Sequence, residues 1–264
     1  MNHPLFQLLN TTRLALSPHF HGFYEWLYAQ IAPDGGPIYA ETDFSQTIVE
    51  PFNAVSAFLF LIVVVYFAQR FSRRGNWREH RFVAASLPFL AIGGLGGTLY
   101  HAFRMSKAFL LMDWLPIAIL TLAAGIYFLS FLVKPRWWAL VIVLGIMAGQ
   151  MLFFKLVASG TLPINRHMAI NTNYAVMAIA VALPILLYLR KRDWVHTRLF
   201  VLAVLSFAGA WVFRMLDSAE GMPSPGTHWL WHLFGAVATL LVIELVYKLK
   251  PEQNGVQLHR SVSS

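Results

Sequence analysis

The chain has 264 residues, of which 58% are hydrophobic and only 12% charged. Soluble domains carry about a quarter charged residues, so the composition excludes an ordinary soluble domain and points to an integral membrane protein. Cysteine is absent, which rules out disulfides, thiolate metal sites and a cysteine nucleophile, and the net charge of +8 has to be explained by where the basic residues fall.

The first residues, "MNHPLFQLLNTTRLALSPHF", lack the charged start, long apolar run and small-residue cleavage site of a signal peptide. A helix needs about 20 mostly apolar residues to cross the hydrocarbon. Seven runs meet that need, at 51–66, 82–103, 109–133, 137–156, 168–189, 199–213 and 228–247, the first and sixth extending a few residues further. The connections hold the charges, as in "QRFSRRGNWREHR", "KPR" and "RKRDWVHTR", and no internal repeat is evident. The expected fold is an all-α, seven-transmembrane helix bundle over residues 50–249. An extramembrane segment, 1–49, precedes it and a polar tail, 250–264, follows.

Lysine and arginine asymmetry sets the expected orientation. With the N-terminus outside, the cytoplasmic side holds Arg70, Arg73, Arg74, Arg78, Arg81, Lys134, Arg136, Arg190, Lys191, Arg192, Arg198, Lys248, Lys250 and Arg260. Only Arg13, Arg104, Lys107, Lys155, Arg166 and Arg214 remain outside. This N-out, C-in arrangement accounts for the basic charge without a nucleic-acid partner.

It also places the intramembrane polar residues by depth. His101 ends the second span, Asp113 lies one turn into the third, and His228 and His232 open the seventh. All four fall at one level, on the side of the N-terminus. Residues at i and i+4 share a helix face, so His228 and His232 form a two-pronged claw suited to Zn²⁺. A third imidazole from His101 leaves one tetrahedral position for water, as in catalytic rather than structural zinc sites. Zinc acidifies such a water, and Asp113 is placed to orient a ligand or serve as general base.

Plainer readings cover the other candidates. His3, His19, His21, His80, His196 and His259 fall in tails or cytoplasmic loops, and His167 in an outer loop. Glu244 and Lys248 have the spacing of a helical ion pair. Arg214 and Asp217, at i and i+3 in "FRMLD", read as a local ion pair or as a lid over the metal site. The glycines Gly93, Gly94, Gly96 and Gly97 read as a close-packing face.

Four segments in order, "YAETDFSQTIVEPFNAVSAFLFLI", "GGTLYHAFRMSKAFLLMDWLPI", "FRMLD" and "GTHWLWHLFGAVATLL", resemble the seven-helix hydrolase superfamily. That superfamily includes alkaline ceramidases and the adiponectin and progestin receptors. The resemblance is nearest to the bacterial members of the ceramidase-like branch, and it covers all seven spans. It implies zinc held by His101, His228 and His232 with Asp113 at the reaction centre. The implied reaction is hydrolysis of the amide of an N-acylated lipid to a fatty acid and an amino lipid, the membrane lipid entering laterally. It further implies a Ca²⁺ site before the first span, with Glu41 and Glu50 at its ends and Asp43 as a third oxygen ligand. The family serine four residues before the second-span histidine is Gly97 here, and Thr98 is the neighbouring hydroxyl that could assist the reacting carbonyl. A non-catalytic lipid receptor retaining the zinc remains the alternative. Haem is less suited, because it takes axial ligands from opposite faces whereas the i, i+4 pair points one way. The bacterial resemblance and the lack of an organelle-retention signal imply a bacterial inner membrane with the metal site toward the periplasm.

Overall fold

A computed structural model describes residues 36–217 and 221–249, apart from the side chains of Arg166 and His167. His3, His19, His21 and His259, most of segment 1–49 and the tail 250–264 lie outside the described residues. In hydrocarbon a backbone must satisfy its own polar groups, which favours helices. Every regular element among the described residues is helical.

The elements are α1 (Pro51–Ala57), α2 (Leu59–Arg74), a short 3₁₀ turn (Trp77–His80), α3 (Arg81–Phe103), α4 (Lys107–Leu129), α5 (Trp138–Ala158), α6 (Arg166–Arg190), α7 (Thr197–Asp217) and α8 (His228–Leu249). The α1 and α2 helices make one span, Pro51–Arg74, tightened at Phe58, whose carbonyl accepts from Leu61 N–H at 2.9 Å. Seven helices among the described residues are long and apolar enough to cross a membrane. The sixth, drawn as 199–213 from the sequence, extends over Thr197–Asp217.

The packing brings α8 against α7, α1, α2 and α3, while α3 lies along α4. The approach of α3 to α4 and to α2 depends on glycine. A Cβ on Gly96 would meet the Met112 backbone, and one on Gly94 would lie 3.1 Å from Leu61 and Phe60 atoms. The main apolar core, including Phe67, Phe71, Leu87, Phe128, Leu189 and Leu245, occupies the half of the bundle away from the start of α8. The α5 helix is peripheral, with Leu144, Met151 and Leu152 exposed where lipid tails would cover them.

Ion pairs mark the end where α2 finishes. Lys248 Nζ lies 3.4 Å from Glu244, as the helical spacing predicts, and Arg70 pairs with the other Glu244 oxygen. His80, read from sequence as a loop residue, is instead buried and stacked on Tyr247 with ring centroids 3.9 Å apart. A ring so placed belongs to the packing and not to a solvated loop.

Candidate metal centre

The start of α1, the end of α3, the start of α4 and the start of α8 meet at the other end of the bundle. Two carboxylates fix helix starts there from outside their own helices. Glu41 accepts from Phe52 N–H at 2.5 Å and Asn53 N–H at 2.9 Å, opening α1. Asp217, ending α7, accepts from Thr227 N–H at 2.7 Å and His228 N–H at 2.9 Å, opening α8. The first N–H groups of a helix have no partner within it, and an anion also suits the positive end of its dipole. The first histidine of α8 is therefore held at its backbone by α7. Gly226 makes this close approach possible, since a Cβ there would run into the Asp217 carboxylate at a φ of +66°.

The side chains of His101, His228 and His232 are all buried, and one ring nitrogen from each lies within 4.8 Å of the others. These three residues could hold a metal ion. Their hydrogen bonds set which nitrogen is free. Glu50 Oε2 accepts from His101 Nδ1 at 2.5 Å, which leaves the lone pair on Nε2, a buried atom with no partner among the described residues. His232 Nδ1 lies 3.1 Å from the Asn53 carbonyl and 3.0 Å from Ser56 Oγ. A carbonyl can only accept, so His232 Nδ1 carries the hydrogen and its Nε2 keeps the lone pair. His228 Nδ1 is buried and likewise lacks a partner among the described residues, while its ring stacks on Tyr39 with centroids 3.8 Å apart. Buried polar atoms are ordinarily paired. Two orphaned imidazole nitrogens and a third with its tautomer fixed are a donor set that fits a divalent cation.

A charged layer backs the histidines. Glu50 is fully buried, also pairs with Arg104, and accepts from Thr42 Oγ1 at 2.5 Å. Burial acts to raise its pKa, but the hydrogen bond from His101 and the charge of Arg104 outweigh it and hold the carboxyl below its ordinary value. Burial pushes the Glu41 carboxyl above its ordinary value against the pull of its two backbone donors, and burial likewise raises Tyr39.

Asp113 is half-buried on α4, and its carboxylate occupies the space in front of Gly97, one turn before His101. It lies within electrostatic reach of His101 and of Arg214. Thr98 does not present its hydroxyl to this group; Oγ1 donates to the Gly94 carbonyl of its own helix at 2.8 Å. The three carboxylates expected around calcium are employed separately. Glu41 caps α1, Glu50 holds His101 and Arg104, and Asp43 is exposed and accepts from Ser45 N–H at 2.9 Å. Among the described residues they form no three-donor group, whereas the histidines do.

The expected ion pair between Arg214 and Asp217 is not formed. Asp217 is committed to the start of α8, and Arg214 Nε donates to Asn171 Oδ1 on α6 at 3.1 Å. Spacing put both residues on one face of α7, but a buried helix N-terminus claims the carboxylate. Sequence reasoning also missed Tyr39, Ser56 and the support role of Glu50. A buried acid before the first span and Arg104 after the second were the only signal available, as intramembrane charges seek one another. No family model matches the chain, and no curated protein matches it.

Proposed function

We propose that the chain is a zinc-dependent intramembrane amide hydrolase acting on an N-acylated, ceramide-like lipid to release a fatty acid and an amino lipid. One observation carries this reading. Three buried histidines bring ring nitrogens within 4.8 Å of one another, two of the three residues having a buried ring nitrogen without a partner among the described residues, with the carboxylate of Asp113 in front of Gly97 one turn before His101. Zinc bound there would polarise an acyl carbonyl and bring the pKa of a water toward neutrality.

The chain's own residues supply the rest. Glu50 keeps the His101 proton on Nδ1, and the Asn53 carbonyl with Ser56 does the same for His232. Both rings are thereby locked in the tautomer that offers Nε2. The Asp113 carboxylate is the group placed to accept a proton and return it to the leaving nitrogen. The basic residues at the opposite end of the bundle support an N-out orientation, with the site toward the periplasmic face of a bacterial inner membrane.

A second reading, a lipid receptor that retains the zinc without catalysis, is favoured by one feature. Gly97 has no side chain and the Thr98 hydroxyl is committed to Gly94, so that stretch of α3 offers no hydroxyl to a reacting carbonyl. Elemental analysis of purified protein combined with mass spectrometry of products from a panel of ceramides and other N-acyl lipids separates the two. Zinc at about one per chain with fatty-acid release supports the hydrolase. Stoichiometric zinc without turnover of any amide lipid sinks it in favour of the receptor.

A further inference from the structure

Arg70, Arg104 and Arg214, all at or within the spans, are treated differently. Arg104 is paired with Glu50, and Arg70 with Glu244. Arg214, on α7, makes no ion pair with any carboxylate among the described residues. An unpaired cation in a membrane-spanning helix is costly and marks a functional site by default.

Its surroundings hold it rather than neutralise it. Arg214 Nε donates to Asn171 Oδ1 at 3.1 Å, and Asn171 is itself buried, its carbonyl accepting from Trp211 Nε1 at 3.0 Å. The guanidinium lies 4.8 Å from the centre of the Tyr174 ring and 5.3 Å from that of Trp231. Aromatic faces attract the cation and leave its charge intact. The Tyr39 side chain is a further hydrogen-bond partner, and the same ring stacks on His228. Tyr39 thus adjoins both Arg214 and the first histidine of α8. Arg214 as a whole is half-buried.

We infer that Arg214 is the oxyanion-recognising subsite of this centre, and that the lipid it takes is an N-acyl lipid bearing a carboxylate or a phosphate on its amine side. The planar guanidinium fork matches either oxyanion and offers more N–H donors than Asn171 and Tyr39 engage. Burying such a pair next to the histidines would align the acyl amide with them, and a neutral lipid would leave the cation uncompensated. This inference rests on the proposed lipid-processing site, and it narrows the substrate class within it.

The test is native mass spectrometry of the purified protein in detergent with three matched probes: N-oleoylglycine, phosphorylated N-oleoylethanolamine and neutral N-oleoylethanolamine. At least one acidic probe should bind about tenfold or more tighter than the neutral one, and the tighter of the two names the oxyanion. Arg214→Gln should abolish that preference with zinc content unchanged, and Arg214→Lys should retain part of it. Equal affinity of the wild type for all three probes overturns the inference without need of any variant. It is also overturned if the preference survives Arg214→Gln, which would assign it to the metal, or if the Lys and Gln variants behave alike. The same spectra record cleavage. A preference without cleavage keeps the subsite and sinks the amidase, and cleavage without a preference does the reverse.

Discussion

Glu50 Oε2 stands 2.5 Å from His101 Nδ1, and the other Glu50 oxygen is shared by Arg104 and Thr42. This carboxylate therefore sets the tautomer of one proposed metal ligand while balancing the only cation in contact with it among the described residues. Glu50→Gln keeps the shape and removes the charge, and such a change behind a ligand histidine should lower metal affinity about 10–100-fold. Metal retained after dialysis against graded chelator measures it. Glu50→Ala also removes the carboxylate that pairs with buried Arg104 and should destabilise by about 3–5 kcal/mol. Equal metal retention in wild type and Glu50→Gln would remove Glu50 from the support of the site.

If the histidine cluster binds metal, the folded protein gains stability from that binding. A ligand present at about 100 times its dissociation constant adds about 2.7 kcal/mol. Chelation should therefore lower the thermal midpoint of the wild type in detergent, and added zinc should restore it. His232→Ala should have a low midpoint from the start and show no response to either treatment. A wild type indifferent to chelator, with no metal on elemental analysis, would refute the metal centre.

Gly97 and Asp113 are complementary in volume. A Cβ at position 97 would lie 2.5 Å from Asp113 Oδ1 and 3.2 Å from the Ala57 Cβ. Gly97→Ser returns the hydroxyl expected from the family resemblance, yet in this packing it must displace Asp113 or part α3 from α1. Overpacking of this kind costs about 1–3 kcal/mol, so Gly97→Ser and Gly97→Ala should destabilise alike and both should lower lipid hydrolysis. A faster Gly97→Ser enzyme would show that the hydroxyl outweighs the displacement.

Much of this was legible in the chain. The spans were readable because lipid selects for long apolar runs, a signal carried by each segment alone. The His228–His232 claw was readable because i, i+4 spacing is a local property of α8. His101 joined them through the alternation of helix directions, which ties the end of α3 to the start of α8. What stayed hidden depends on contacts across the chain. Tyr39 stacks on His228, and Ser56 meets His232, only because α8 packs against α1 and the segment before it. Acidic residues have roles that spacing does not show. Glu41 also serves a helix start, and Glu50 a histidine. Asp217 looked like a partner for Arg214, although the unpaired N–H groups of α8 offered a better one.

That last exchange is directly testable. Asp217 caps α8 at Thr227 and His228 and also accepts from Ala40 N–H at 3.2 Å, so it ties three segments together beside the first ligand of the helix. Loss of a capping side chain costs about 0.5–2 kcal/mol. Asp217→Ala should fall at the upper end of that range, because it leaves buried donors unsatisfied, and should weaken metal retention through His228. Asp217→Asn keeps an acceptor oxygen and should cost less. If the cap and not an ion pair is what Asp217 provides, combining Asp217→Asn with Arg214→Gln should give additive losses within about 0.5 kcal/mol. A larger coupling in that double-mutant cycle would restore the ion pair and withdraw Arg214 from service as an open oxyanion site.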